Sequence, residues 1–549
     1  MALTALFDIG KSGILTYQKA LEVVSHNVAN AATEGYTRQD VIFQNIPSGV
    51  LSYAGVTGRG VKITDIRRMY NSFIELQLKT ESSRLGYWDV FQSGMLRLES
   101  IFNDASDIAL SNVINDFFNA WQELSQNPSG IAERSLLLDK ATYLAHRFNL
   151  SYRALLDERY EIYKDSQNFV NQINQYLDQI NELNEKIVAN PGALDAKDQR
   201  ENLVKQLNDI VNITYFEDNA GRYSILLGGM PLVDGGRVYH MNVRLDGNQN
   251  LQFNLETVSG SIDATRLIQG GKLKAEIDLR DTVIPEYMNK LNMLVFDLTD
   301  AVNRVHRQGY GLDGSTGNNF FNQLYDLTVI SGSPDITSLN ISSVNANIYN
   351  QYQIQYDGTN WTVTDQSTTP PTSITPMVTS WFEGTPPINY YRLSFNDINI
   401  ILRNPSAGLD FTFQIKPNTA LYFGVAITNT NHIAAASENP LTVSGSMDNR
   451  NARAIYGLLD SPIIGNAKPI DFYRSIVSEI GVYSSSAKTQ KNFQEALVQE
   501  IEKRRQDISG VSLDEEAINL IKYQKMYEAS ARVIRVADEI LSTLFEMVR

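Results

Sequence analysis

Near the start of the chain, Leu3, Phe7, Gly10, Ile14, Tyr17, Leu21, Val24, Val28 and Ala31 recur at alternating spacings of four and three, with no charge among them. That is the a/d pattern of a helix that packs against another helix, as in a coiled coil. The far end repeats it: Leu513, Ala517, Leu520, Gln524, Tyr527, Ala531, Ile534, Asp538, Leu541, Phe545 and Val548 keep the same spacing. Ser512 and Glu515 stand at its start as a capping-box pair, just after Gly510. A third seam keeps four-three spacing through Phe148, Tyr152, Leu155, Arg159, Ile162, Ser166, Phe169, Ile173, Tyr176, Ile180, Leu183 and Ile187, until Asn190-Pro191-Gly192 stops it. As a helix this stretch alone spans roughly 60 Å, the rod of an elongated molecule.

Between the helical stretches the period changes to two. Residues 213–255 are rich in β-branched and aromatic side chains, broken at Gly228-Gly229, Asp234-Gly235-Gly236 and Asp246-Gly247. Tyr352, Ile354 and Tyr356 alternate with polar residues up to Asp357-Gly358, and Trp361 and Val363 alternate beyond it, which predicts a hairpin. Residues 368–387, rich in Thr, Ser and Pro, read as a loop, and Phe411, Phe413 and Ile415 as a strand closed by Pro417. Helix returns over 281–307 and from Ile470, just past Pro469.

The predicted class is α+β, multidomain and elongated, with terminal helices forming a coiled coil, a helical rod and β-rich insertions in the middle. The expected divisions are 1–45 with 510–549 as a terminal domain, 46–210 with 270–325 and 425–509 as a mainly helical rod, 211–269 as a β-rich domain, and 326–424 as a variable β-rich outer domain.

A net charge of −15 over 549 residues argues against sequence-independent nucleic-acid binding, which needs dense Lys and Arg, and equally against anionic membrane surfaces. Cysteine is absent, which fits a protein that crosses into an oxidising space without disulfide chemistry. No secretory leader is visible, since Asp8 and Lys11 interrupt any apolar run near the start. No segment approaches the ~20 apolar residues of a membrane span.

Catalytic constellations are lacking. His26, His146, His240, His306 and His432 are scattered and read as structural or surface residues, with no thiols to complete a zinc site. The run 55–60 is glycine-rich but lacks the spacing of a dinucleotide fingerprint and reads as a turn. Asp514-Glu515-Glu516 falls in the first turn of a helix, where acids complement the positive dipole end. No catalytic, cofactor-binding or metal-binding residue is predicted, and no cofactor; the reading is non-enzymatic.

The most specific residues follow the first stripe. Asn27-Val28-Ala29-Asn30-Ala31-Ala32-Thr33-Glu34-Gly35-Tyr36-Thr37-Arg38-Gln39 resembles the N-terminal signature of the flagellar rod, hook and hook-associated proteins, with Ala32 and Glu34 as mild departures from the usual Asn-Thr-Pro-Gly-Tyr form. Asn30 and Gly35 tolerate the geometry of a helix exit and turn, and Tyr36 supplies an aromatic anchor. The continuation Thr37-Arg38-Gln39 is similar to the hook-associated protein 1 family, as are Asn127-Pro128-Ser129-Gly130, Asp278-Leu279-Arg280-Asp281, and Gly510 to Glu516 with Tyr523-Gln524, Tyr527 and Ala529-Ser530-Ala531-Arg532. The resemblance is thin over 326–416.

The resemblance implies a structural subunit joining hook to filament as a ring. Its partners would be copies of itself, the hook protein on one side and hook-associated protein 3 on the other, with an export chaperone covering the C-terminal helix beforehand. It also implies an extracellular place on the flagellum, reached by flagellar type III export without a cleaved signal peptide. The joining surface would be Leu3, Phe7, Ile14, Tyr17, Leu21, Val24 and Val28 at one end, and Leu513, Ala517, Leu520, Tyr527, Ala531, Ile534, Leu541 and Phe545 at the other. Both ends are expected to be mobile in the free monomer and to order on assembly, because short apolar stripes barely offset the entropy of fixing their residues. The alternatives are another axial protein such as the hook protein, a type III-secreted coiled-coil adhesin or effector and, last, a wall hydrolase fused to an axial protein.

Overall fold

The structure, a computed structural model, describes residues 2–47, 58–103, 109–258, 260–342, 346–442 and 447–548. Helix α1 (Ala2–Ala29) is followed by a hairpin of β1 (Gln39–Asn45) and β2 (Val61–Arg68). Four helices come next: α2 (Ser72–Ile101), α3 (Leu110–Gln126), α4 (Ile131–Ala189) and α5 (Leu194–Ile210). A run of strands follows: β3 (Thr214–Glu217), β4 (Tyr223–Leu227), β5 (Met230–Asp234), β6 (Arg237–Val238), β7 (Met241–Leu245), β8 (Leu251–Thr257) and β9 (Gly260–Asp263). Helices α6 (Gly271–Asp278) and α7 (Ile284–Gln308) lead to a second run: β10 (Tyr325–Ser331), β11 (Ile336–Ile341), β12 (Tyr352–Tyr356), β13 (Trp361–Asp365), β14 (Thr372–Ile374), β15 (Met377–Glu383), β16 (Ile388–Phe395), β17 (Ile398–Arg403) and β18 (Leu409–Ile415). The chain ends with α8 (Thr419–Tyr422), α9 (Arg450–Tyr456), α10 (Pro469–Ser509) and α11 (Leu513–Val548). The class is α+β, with helices at both ends and strands between. Of the glycine-rich run 55–60, residues 55–57 lie outside the described residues.

The chain divides into two compact units, one of residues 1–91, 164–277 and 488–549, the other of 92–163 and 278–487. In the first, the later part of α4 turns Val170, Ile173, Leu177, Ile180, Leu183 and Ile187 inward, each at most 7 % exposed. The sheets β3-β4-β5-β6 and β7-β8-β9 bring in Ile225, Leu227, Phe253 and Leu255, all buried. An ion pair is enclosed with them: Lys79 Nζ lies 2.5 Å from Glu201 Oε2 and 2.6 Å from the Tyr215 hydroxyl, and the Tyr223 hydroxyl donates to the same carboxylate. Burial works against both charges, yet each restores the other: Lys79 stays above its ordinary range and Glu201 below its own.

The second unit joins a helical part to a β-sandwich. Trp121 and Phe117 of α3 stack among Phe320, Phe321 and His306. The helix expected over 281–307 is α7, preceded by a π-helical turn at Leu279–Val283, with a proline in its first turn where the missing N–H is not needed. The sandwich pairs the sheet β10-β18-β12-β13-β14 with the sheet β11-β17-β16-β15, and Phe395 packs on Tyr352 and Phe413 between them. The β12–β13 hairpin turns at Asp357-Gly358 as the alternation predicts. The loop expected over 368–387 instead contains β14 and β15; the flanking Thr, Ser and Pro residues hide a run from Met377 to Phe382 that pairs fully with β16.

His306 is completely buried. Its Nδ1 donates to Asn318 O at 2.7 Å and its Nε2 accepts from Ala434 N at 2.9 Å, which fixes a neutral tautomer. Burial pushes its pKa down to about 4 from 6.5. A histidine held neutral contributes its stability in full above pH 6.5 and loses it as pH falls through that window towards about 4. His306→Gln keeps one donor and one acceptor but cannot titrate. The stability advantage of the parent chain over this variant is therefore expected to shrink by about 3 kcal/mol between pH 7 and pH 4, measured by urea unfolding. Asp300, pushed up to about 6 by burial, titrates in both chains and cancels.

Candidate functional site: the terminal helix pair

Helix α1 lies between two neighbours. On one side is the β1–β2 hairpin: Thr16 Oγ1 donates to Val61 O at 2.9 Å and Val61 N donates to Ser12 Oγ at 3.3 Å. Gly60, at φ +116°, lies so close that a Cβ there would stand 3.3 Å from the Ile9 Cα. On the other side is α11, running antiparallel. Gly10 and Gly13 face Ile534 and Ser530, Tyr17 faces Tyr523 with ring centroids 6.4 Å apart, and Asn27 hydrogen-bonds Glu516. The rings of Tyr17, Phe43 and Tyr523 close over buried Ala20, Val23, Val24 and Val41, tying both neighbours to α1.

The signature segment is the clasp at the end of α1. Buried Asn27 donates to Gln39 O at 2.9 Å, and its Oδ1 accepts from Gln39 N at 3.0 Å and from the Tyr36 hydroxyl at 2.8 Å. Tyr36 also meets His26 Nδ1 at 3.0 Å, so the anchor is polar as well as aromatic. Gly35 takes φ +79°, as a turn there requires. Asn30 works differently from the expectation: its side chain donates to His26 O at 3.0 Å, capping a helix-end carbonyl, and Thr33 donates back to it. Thr37 N donates to Asp198 of α5, Gln39 Nε2 donates to Asp195, and Arg38 pairs with Glu515 at the start of α11. Asn27, Tyr36, Thr37, Arg38 and Gln39 thus bind α1, β1, α5 and α11 into one corner.

Only half of the expected capping box forms. Ser512 Oγ accepts from Glu515 N at 3.4 Å, but the Glu515 carboxylate goes to Arg38. Glu516 is buried, and one of its oxygens has no hydrogen-bond partner. Burial pushes its carboxyl up, against the Asn27 hydrogen bond and the Arg38 charge. These acids thus serve tertiary contacts as well as the helix end.

Of the predicted N-terminal seam, Val24 is buried, Phe7, Ile14, Tyr17 and Leu21 are half-buried, and Val28 is exposed; the side chain of Leu3 lies outside the described residues. In α11, Ala531, Ile534 and Leu541 are half-buried, while Leu513, Ala517, Leu520, Tyr527 and Phe545 face solvent. The face of α11 turned to α1 includes Ile534 of that seam, against Gly10, and beside it Glu516, Tyr523, Ser530 and Ala537, a repeat of seven. A search for apolar positions passes over it because its members are polar or small. The pair Gly10 and Gly13 was the available signal that a small-residue face lay opposite.

Outside that face α11 is apolar and open. Ile518, Ile521, Val536, Ile540 and Leu544 are exposed, with Phe545 at 69 % and Met547 at 79 %. A surface of this kind binds other apolar surfaces. Among the described residues, no group of three His, Cys, Asp or Glu side chains could hold a metal, and no helix is long and apolar enough to cross a membrane.

The helical-domain model of the flagellar hook-associated protein FlgK matches residues 95–321, and the C-terminal model of the flagellar basal body rod FlgEFG proteins matches residues 505–547. The chain is similar to flagellar hook-associated protein 1 of Salmonella typhimurium, 29 % identical over 99 % of this chain and 100 % of that one. It is similar to the same protein of Escherichia coli K12 at 27 %, over 99 % and 100 %, and of Bacillus subtilis at 23 %, over 97 % and 96 %. In fold it resembles the flagellar hook junction protein FlgK from Burkholderia pseudomallei, with a TM-score of 0.60 at 19 % identity, covering 79 % of this chain and 100 % of that one.

Proposed function

Because the chain belongs to the flagellar hook-associated protein 1 family, a family of structural flagellar proteins, we propose that it joins hook to filament as a ring subunit held by its terminal helices. The observation that supports this most is the open apolar side of α11. Large apolar side chains such as Ile540, Leu544 and Phe545 stand in water in the single chain, and each gains about 1.5–3 kcal/mol when fully buried. The α1–α11 contact already uses the small-residue face, so neighbouring subunits meet the large-residue one.

In this reading residues 1–45 with 510–549 do the joining, with the hook protein on one side and hook-associated protein 3 on the other. Residues 326–424 form the outer domain. An export chaperone covers the same apolar side of α11 before the chain leaves by the type III channel.

The test separates joining from folding. Ile521→Asp with Phe545→Asp changes only exposed positions, so the purified chain is expected to keep its circular dichroism spectrum while incorporation into flagella is lost. Immunogold labelling is expected to show one band at the hook–filament boundary for the parent chain and none for the variant. An unchanged band and normal motility in the variant would contradict the proposal.

A further inference from the structure

The sandwich ends in free strand edges on opposite flanks. Residues 332–335 link β10 to β11 and residues 375–376 link β14 to β15, so in the two sheet orders β10 shares a flank with β11, and β15 with β14. Strand β15 pairs with β16 without a break from Met377 to Glu383, and its other edge has no strand partner among the described residues. The edge is lightly defended: the strand contains no lysine, no proline and no bulge, and its one charge, Glu383, stands at its end.

A second need arises at the same place. Cross-strand partners share a face of a sheet, and Val378 lies opposite Leu393, which is buried in the sandwich core. Phe382 lies on that same face, yet it is 70 % exposed. The facing sheet ends in the three-residue β14 and leaves this ledge uncovered. An occupant must therefore supply both backbone hydrogen bonds and apolar side chains. The opposite flank offers a matching element: β10 has seven residues, pairs among the described residues only with β18, is regular over residues 325–329, and exposes Val329 and Ile330.

We infer that the β15 edge of one copy of this chain takes up the β10 edge of the next, so that neighbouring sandwiches share a continuous sheet. The inference rests on the ring reading above, which gives every copy a neighbour on either side. Two different edges on opposite flanks make a head-to-tail contact that propagates from copy to copy, whereas β15 pairing with itself would stop at two.

The chain has no cysteine, so introduced thiols report a single contact. Thr328→Cys and Ser380→Cys place one exposed thiol on each edge. A short bis-maleimide, which tolerates small differences in register, is applied to purified flagella carrying the double variant. A ladder of covalent oligomers is expected, absent from either single variant and lost when Phe382→Lys is added. Flagella that show the immunogold band but no ladder overturn the inference and leave the junction role standing. A dimer formed by Ser380→Cys alone overturns it in favour of β15 self-pairing. Absence of the band from the parent chain overturns the junction role, and this inference with it.

Discussion

A chain with valine in place of Gly13 is expected to lose the α1–α11 pairing while its second unit stays folded. A Cβ at position 13 would lie 2.9 Å from the Ser530 Cβ, and the Ser530 hydroxyl, which donates to Met526 O at 2.8 Å, would be closer still. At Gly10 a Cβ would lie 2.5 Å from Ile534 Cγ1 and 3.2 Å from the Ser530 carbonyl oxygen. Rotamer changes cannot relieve contacts with a backbone atom and a Cβ. Overfilling a packed site costs about 1–3 kcal/mol, and relief by separation gives up the packing of Tyr17, Val24 and Tyr523. Valine in place of glycine favours the helix by roughly 0.3 kcal/mol, so α1 loses its partner without losing its helical preference. Within one chain α1 packs on α11, where the sequence suggests mobile ends, and this packing confers protection. Hydrogen exchange is expected to show that protection lost across residues 10–27 and 516–537, and assembly should fail. Ser530→Gly in the same chain should restore both. Unchanged protection in the Gly13→Val chain would mean that the helices do not depend on this close approach.

Breaking the enclosed ion pair of the first unit is expected to have the largest effect on stability. Lys79 is 3 % exposed and Glu201 8 %, so Lys79→Met leaves a buried carboxylate without its direct ion-pair partner, with only the Arg68 charge, itself paired to Asp198, nearby. The expected loss is about 3–5 kcal/mol, read from denaturant unfolding of that unit. Replacing both residues by methionine removes the stranded charge and should recover most of the loss. Part remains, because the Tyr215 hydroxyl loses the Lys79 donor and the Tyr223 hydroxyl loses the Glu201 acceptor, each bond worth about 1 kcal/mol. A single variant as stable as the parent would show that water reaches Glu201.

Periodicity made the long helices legible. The seam from Phe148 to Ile187 lies in α4 with its members largely buried, because a single apolar stripe on a long helix has only one way to be covered. The hairpin at Asp357-Gly358 was equally plain, since alternation and turn chemistry agree there. The pairing face of α11 was not, because close approach selects glycine, serine and alanine, which carry little apolar signal. Strand β15 was hidden for a related reason: as an edge strand it lacks the alternation of burial by which strands are recognised. In the signature segment, Gly35 could be read from its turn. The hydrogen bonds of Asn27 depend on Gln39 and Tyr36 returning to it, which only the folded chain brings about.

Gly13 meets Ser530 across nearly the whole 549-residue sequence. The entropy of closing so long a loop rises only slowly with length, by about 0.6 kcal/mol per doubling. The delay is the greater consequence: contacts this distant along the chain form after local ones. A helix that emerges early has to wait, half-dressed, for one that emerges late. Maturation of the α1–α11 pair is thereby timed by the chain itself, after everything between has taken shape.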